Sequence, residues 1–181
     1  MRGLTHFILE TVQVVVFSIS IFLFIYFLVL QPHKIRGASM EPNFQENQYL
    51  LTDKVSYRLG EPARGDVVVF RASTGQDFIK RVIALPGETV EVKGGEVHIN
   101  GKPLNEPYLP REVITQTGQF LEKNQPITVP DNFYFVLGDN RDHSLDSRSF
   151  GFVSKEDISG KAFFVYWPPA NAGVIQAAPT P

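Results

Sequence analysis

Asp77-Phe-Ile-Lys-Arg-Val-Ile-Ala-Leu-Pro-Gly-Glu-Thr-Val-Glu-Val-Lys-Gly-Gly-Glu-Val-His-Ile-Asn-Gly101 decides the fold class. Short β-branched runs, Asp77–Ala84, Thr89–Lys93 and Glu96–Asn100, are punctuated by Leu85-Pro86-Gly87 and by Asn100-Gly101. Asn-Gly is a strong hairpin signal because both central turn positions need positive φ. Working outward, Tyr49–Thr52, Asp66–Arg71, Asn132–Leu137 and Lys161–Trp167 read as further strands, and Asp53–Leu59 as a short helix that Asp53 can cap. The chain is therefore predicted to be mainly β: an antiparallel β-rich domain behind an N-terminal apolar helix. Pro103 to Pro130 is rich in turn and polar residues and reads as a smaller, more mobile excursion.

Val12 to Leu30 is apolar apart from Gln13, Ser18 and Ser20. As a helix it would span about 28 Å at ~1.5 Å per residue, close to the ~30 Å hydrocarbon core of a bilayer. Pro32 would stop it. A cleaved secretory signal is the alternative, but this run exceeds the usual apolar length of ~7–15 residues, and Arg2 is the one firm positive charge before it. Residues 1–31 are thus expected to be a retained membrane anchor, 32–168 the β-rich domain with a cap excursion at about 85–130, and 169–181 a flexible Pro/Ala-rich tail. Lys34 and Arg36 after the helix, against Arg2 and Glu10 before it, favour a cytoplasmic domain by charge bias alone.

In 181 residues with a net charge of −2, no basic stripe points to a nucleic-acid partner. Zero cysteines exclude thiol catalysis, and four scattered histidines give no metal-binding spacing. No metal or other cofactor is expected.

Three clusters carry chemistry. Ile35-Arg-Gly-Ala-Ser-Met-Glu-Pro42 follows the anchor. Arg64-Gly-Asp-Val-Val-Val-Phe70 precedes the strand holding Lys80. Gly138-Asp-Asn-Arg-Asp-His-Ser-Leu-Asp-Ser-Arg-Ser-Phe-Gly151 fails the calcium-loop pattern, with Arg141 and His143 at ligand positions and no Gly at the sixth. Interleaved Arg141, Asp142, Asp146 and Arg148 suggest instead an ion-pair network stiffening a turn. In the middle cluster, alternation puts Phe78, Lys80 and Val82 on one face and Ile79, Arg81 and Ile83 on the other, so either face carries a base. Two readings stay open: an edge strand with both heads snorkelling into water, or a lysine held neutral by burial. Lowering its pKa from ~10.4 to ~8 would cost about 3 kcal/mol. A neutral amine can take a serine proton, the Ser–Lys form of nucleophilic catalysis.

Together the clusters resemble the type I signal peptidases, membrane-bound proteases that remove signal peptides from exported proteins. Ser-Met-x-Pro, Arg-Gly-Asp-Val-Val with Lys-Arg-Val, and Gly-Asp-Asn-Arg-Asp-x-Ser-x-Asp-Ser-Arg occur in the family's order, from the anchor to about Trp167. The resemblance implies Ser39 as nucleophile with Met40 beside it, and Lys80 as general base. It implies Ser144 as the hydroxyl orienting the amine, Asp146 with Arg148 as a supporting salt bridge, and Asp139 as a shaper of the same loop. The oxyanion hole would use the Ser39 N–H. Some members add a serine hydroxyl two residues earlier, where this chain has Gly37. Ile35, Met40, Phe44 and Ile79 would converge on shallow apolar pockets suited to small substrate residues at −1 and −3. The resemblance also implies a small cap on the β domain, an extracytoplasmic catalytic side on a bacterial cell membrane, and preprotein signal peptides and the lipid bilayer as partners. A monomer is expected. A soluble self-cleaving repressor protease shares the dyad but lacks an anchor, and a membrane-tethered, non-catalytic β binding module is the alternative outside the enzymes.

Overall fold

A computed structural model of the chain describes residues 2–122 and 125–177. The elements run α1 Arg2–Val29, β1 Leu30–Lys34, β2 Tyr49–Asp53, α2 Ser56–Leu59, β3 Val67–Arg71, β4 Asp77–Ala84, β5 Thr89–Lys93 and β6 Glu96–Ile99. They continue as β7 Lys102–Pro103, β8 Ile127–Thr128, β9 Phe133–Leu137, α3 Ser147–Phe150, β10 Val153–Ser154, β11 Ile158–Trp167 and β12 Gly173–Val174. The protein is mainly antiparallel β with one N-terminal apolar helix. Within α1, Thr5–Tyr26 is long and apolar enough to cross a membrane, and none of it is buried against the rest of the chain.

The helix ends before the expected stop. A proline disfavours helical backbone in the residue preceding it, here Gln31. The chain goes extended at Leu30, and β1 pairs with β2 in the register Pro32↔Leu51. Pro32 cannot donate to a second neighbour, and β1 sits at the sheet edge, where that loss is harmless. The main sheet runs β1-β2-β11-β3-β4-β9-β10, with β12 also on β11. β4 is thus an interior strand, which removes the edge-strand reading of Lys80 and Arg81.

The second sheet, β7-β6-β5-β8, is the small cap. Its last hairpin turns at Asn100 (φ 51°) and Gly101 (φ 76°), the backbone that Asn-Gly supplies. Val90, Val92, Val97 and Ile99 of the cap pack with Ile83, Ala84, Phe135 and Leu137 of the main sheet around fully buried Leu121. Full burial of such a side chain contributes about 1.5–3 kcal/mol, so the excursion is fastened rather than loose. Helix α2 is shorter than expected, but the Asp53 carboxylate does accept from the Val55 and Ser56 N–H groups at 2.7 and 3.1 Å. The flexible tail needs correction. Pro169–Asn171 form a 3₁₀ turn, and Val174 pairs with Phe164 of β11. Residues 178–181 of that expected tail lie outside the described residues.

Candidate active site

Both faces of β4 are covered, so Lys80 and Arg81 are each only 3% exposed. Burial forces each to find a partner. Arg81 makes a two-pronged pair with Asp139, Nε to Oδ1 at 2.9 Å and Nη2 to Oδ2 at 2.6 Å. Its guanidinium also lies 4.1 Å from the centre of the Tyr108 ring. Among the described residues, Lys80 has no carboxylate in contact. Its Nζ donates to Ser39 Oγ and to the Ile79 carbonyl, each at 2.8 Å. Burial pushes the Lys80 ammonium down to about 8, with the charges of Asp146 and Asp139 pulling the other way. A large fraction of this amine is therefore neutral just above physiological pH.

Ser39 reaches the amine from the loop between β1 and β2. Gly37 enters that loop at φ +80°, a left-handed conformation that a side chain would strain. A serine hydroxyl at this position would thus carry a backbone cost. Next to Ser39, Met40 is 1% exposed and packs with Ile35, Phe44 and Leu50, so it anchors the serine loop in the core.

The loop after β9 closes the site from the other side. Asp146 is fully buried and takes both Arg148 Nε and Nη2 at 2.8 Å, as expected, and it also accepts from the Gly138 N–H at 3.1 Å. Arg141 departs from the expected network: it pairs with Glu106 of the cap and donates to Thr115 Oγ1 at 2.5 Å. Asp142 is exposed and takes no part. Asp139 ties the loop to the serine segment as well, accepting from Asn43 Nδ2 at 2.8 Å.

Three expected placements do not hold: Met40, sunk in the core, does not line the cleft, and Ser144 and Phe44 lie elsewhere than expected. Ser144 Oγ is buried but makes no hydrogen bond among the described residues, and so does not contact the Lys80 amine. Ser144 Oγ instead lies against Gly138, where an added Cβ would meet it at 2.1 Å and the Ser39 carbonyl at 2.5 Å. Phe44 faces a different cavity, shared with Tyr108, Val165 and Val174. Its place in the core, beside Met40, turns it away from the cleft.

Ser39 and Lys80 open onto a cleft of about 600 Å³, walled by Ile35, Leu50, Val69 and Ile79, with Leu145 at its exposed rim. His33 and Asp77 lie farther along it, His33 Nδ1 3.8 Å from Asp77 Oδ2. Among the described residues no group of three acidic or histidine side chains could hold a metal. Sequence reasoning missed Leu145, His33 and Asn140. Asn140 donates from its side chain to the Ala38 carbonyl at 3.0 Å and from its backbone to the Ser39 carbonyl at 3.1 Å. Its presence inside the third cluster was the available signal.

The model of the family described as signal peptidase, peptidase S26, matches residues 8–167. A probable signal peptidase I-2 of Synechocystis sp. is 42% identical over 154 residues, covering 81% of this chain and 67% of its own. A signal peptidase I of Leptolyngbya laminosa is 37% identical, covering 96% and 86%. Signal peptidase IB of Staphylococcus aureus (strain COL) is 37% identical, covering 84% and 88%. The crystal structure of a signal peptidase I from Enterococcus faecalis V583, 39% identical, covers 56% of this chain and 97% of its own with a TM-score of 0.48. The chain belongs to the signal peptidase family, peptidase S26, and is a serine endopeptidase of that family.

Proposed function

We propose that this chain is a membrane-anchored signal peptidase that cuts N-terminal signal peptides from exported preproteins after small residues at −1 and −3, using Ser39 as nucleophile and Lys80 as general base. The single observation that carries the reading is the 2.8 Å contact between Lys80 Nζ and Ser39 Oγ, made by a lysine whose pKa is lowered to about 8. In its neutral form Lys80 accepts the Ser39 proton as Oγ attacks the scissile carbonyl. The resulting ammonium returns a proton to the leaving amine, and water then releases the acyl group by the same route with Lys80 again the base. Ser39 N–H makes no hydrogen bond among the described residues, which leaves it free to donate to the oxyanion.

Ile35 and Ile79, which both line the cleft, supply the apolar narrowness that a preference for small residues requires. The unburied apolar span Thr5–Tyr26, set directly before β1, supports an anchor that holds the cleft near the bilayer. On this reading α1 crosses a bacterial cell membrane once and the catalytic domain stands on the extracytoplasmic side, where translocated signal peptides arrive. The test is precursor cleavage by wild type and Ser39→Ala in detergent or lipid. Complete processing by wild type and none by folded Ser39→Ala is the expected result, and processing by Ser39→Ala overturns the reading.

A further inference from the structure

We propose that Asn140 is a positioning residue for the oxyanion hole: its side-chain amide holds the Ala38 carbonyl and so aims the Ser39 N–H at the developing charge. The inference rests on the Ser–Lys reading above and adds to it a residue with no contact to the amine. The Ala38–Ser39 peptide is trans, and a trans peptide is a rigid plane whose C=O and N–H point in opposite directions. Fixing one end fixes the other. Asn140 Nδ2 donates to the Ala38 oxygen at 3.0 Å, and the Glu41 N–H donates to the same oxygen at 3.1 Å. The Asn140 N–H also holds the next carbonyl, that of Ser39, at 3.1 Å. The Ser39 N–H therefore points away from the Asn140 loop, and among the described residues it has no acceptor.

Such a device matters most where the hole has few donors. Gly37 supplies no hydroxyl, and without a Cβ it restrains the chain before Ser39 less than any other residue would. The Ala38–Ser39 plane gains an external grip from Asn140, in the loop after β9 whose own position is set by the Asp139–Arg81 and Asp146–Gly138 contacts. Because Asn140 is neutral, its loss should leave the Lys80 amine and the apolar walls of the cleft as they are.

The experiment compares wild type, Ser39→Ala, Asn140→Ala and Asn140→Asp as full chains, measuring kcat, KM and the pH midpoint on one precursor, with thermal unfolding as the check of folding. A misaimed reacting group costs up to about a hundredfold. With Glu41 N–H still in place, Asn140→Ala should lose about ten- to a hundredfold in kcat, with KM within about twofold and the pH midpoint unchanged. Asn140→Asp keeps the shape but cannot donate. It should lose kcat to a similar extent above its own midpoint, and it alone decides the matter should Asn140→Ala fail to fold. Wild-type kcat in either folded variant overturns the inference, as does a loss in Asn140→Ala that appears in KM or as a shifted midpoint. Wild-type kcat in Asn140→Ala beside an inactive Ser39→Ala overturns this inference alone, whereas an active Ser39→Ala overturns the Ser–Lys reading with it.

Discussion

Lys80 Nζ lies 2.8 Å from Ser39 Oγ although 41 residues separate them, and the lysine is 3% exposed. A buried lysine without a carboxylate in contact is an uncomfortable arrangement, and that discomfort lowers its affinity for a proton.

The pH dependence follows. The folded-state pKa is about 8 against an ordinary value of 10.5, burial being the first cause. Below pH 8 the amine is charged in both folded and unfolded chains, and folding bears the full penalty of about 3 kcal/mol. As pH rises from 8 to 10.5 the folded chain carries fewer protons, and the penalty fades. Lys80→Met should therefore raise the melting temperature at pH 7 and gain little at pH 10.5. The cleavage rate of the wild type, with chemistry limiting, should climb through a midpoint near pH 8. A rate flat from pH 6 to 10 would contradict the assignment.

Gly138 lies between the serine loop and Ser144. A Cβ there would overlap Ser144 Oγ and the Ser39 carbonyl at 2.1 and 2.5 Å, the latter being backbone. Gly138→Ala should cost about 1–3 kcal/mol in stability and reduce kcat by more than tenfold, because the displaced group is the nucleophile's own residue. Equal kcat for Gly138→Ala and wild type would refute this.

The Arg81–Asp139 pair is buried on both sides. Asp139→Ala leaves a buried guanidinium without its carboxylate, which typically costs about 3–5 kcal/mol. Urea titration should show that loss. Because Asp139 also holds Asn43 of the serine segment, the fraction that stays folded should lose kcat as well.

Not all of this was legible in the sequence. Residue alternation along β4 revealed that each face carried a base, and the Asn100-Gly101 turn fixed a hairpin. β1 was hidden because Leu30-Gln-Pro-His-Lys34 contains a proline and continues the apolar helix, so its pairing with β2 is written in tertiary contact alone. The tail was misread for a similar reason: Val174 pairs with Phe164 from a two-residue apolar step, Val174-Ile175, set among Pro, Ala and Gly residues that read as coil. Within the site, the Asp146–Arg148 pair is local and was readable. The partners of Arg81 and Arg141 lie 58 and 35 residues away, beyond any spacing argument. Phe44 was placed by proximity to Ser39, but sequence proximity does not say which side of a loop faces the core.

Substrate choice should follow the walls of the cleft. Ile35 and Ile79 line it with Ser39, while Phe44 does not. In precursors varied at −1, cleavage should fall steeply from Ala through Val to Phe, because overfilling a packed pocket costs about 1–3 kcal/mol. Ile79→Ala should narrow the gap between Ala and Val, and Phe44→Leu should leave it unchanged. Similar rates for Ala and Phe with wild type would show that no such pocket exists.

The central claim is that Lys80, neutral by burial, activates Ser39. The most direct measurement is the precursor cleavage rate of Lys80→Met, which keeps the apolar stem and removes the amine, in a protein shown to be folded by its melting transition. Residues acting as one unit are lost together, so the account predicts the same absence of turnover as Ser39→Ala at every pH from 6 to 10. Near-normal turnover by folded Lys80→Met would contradict it.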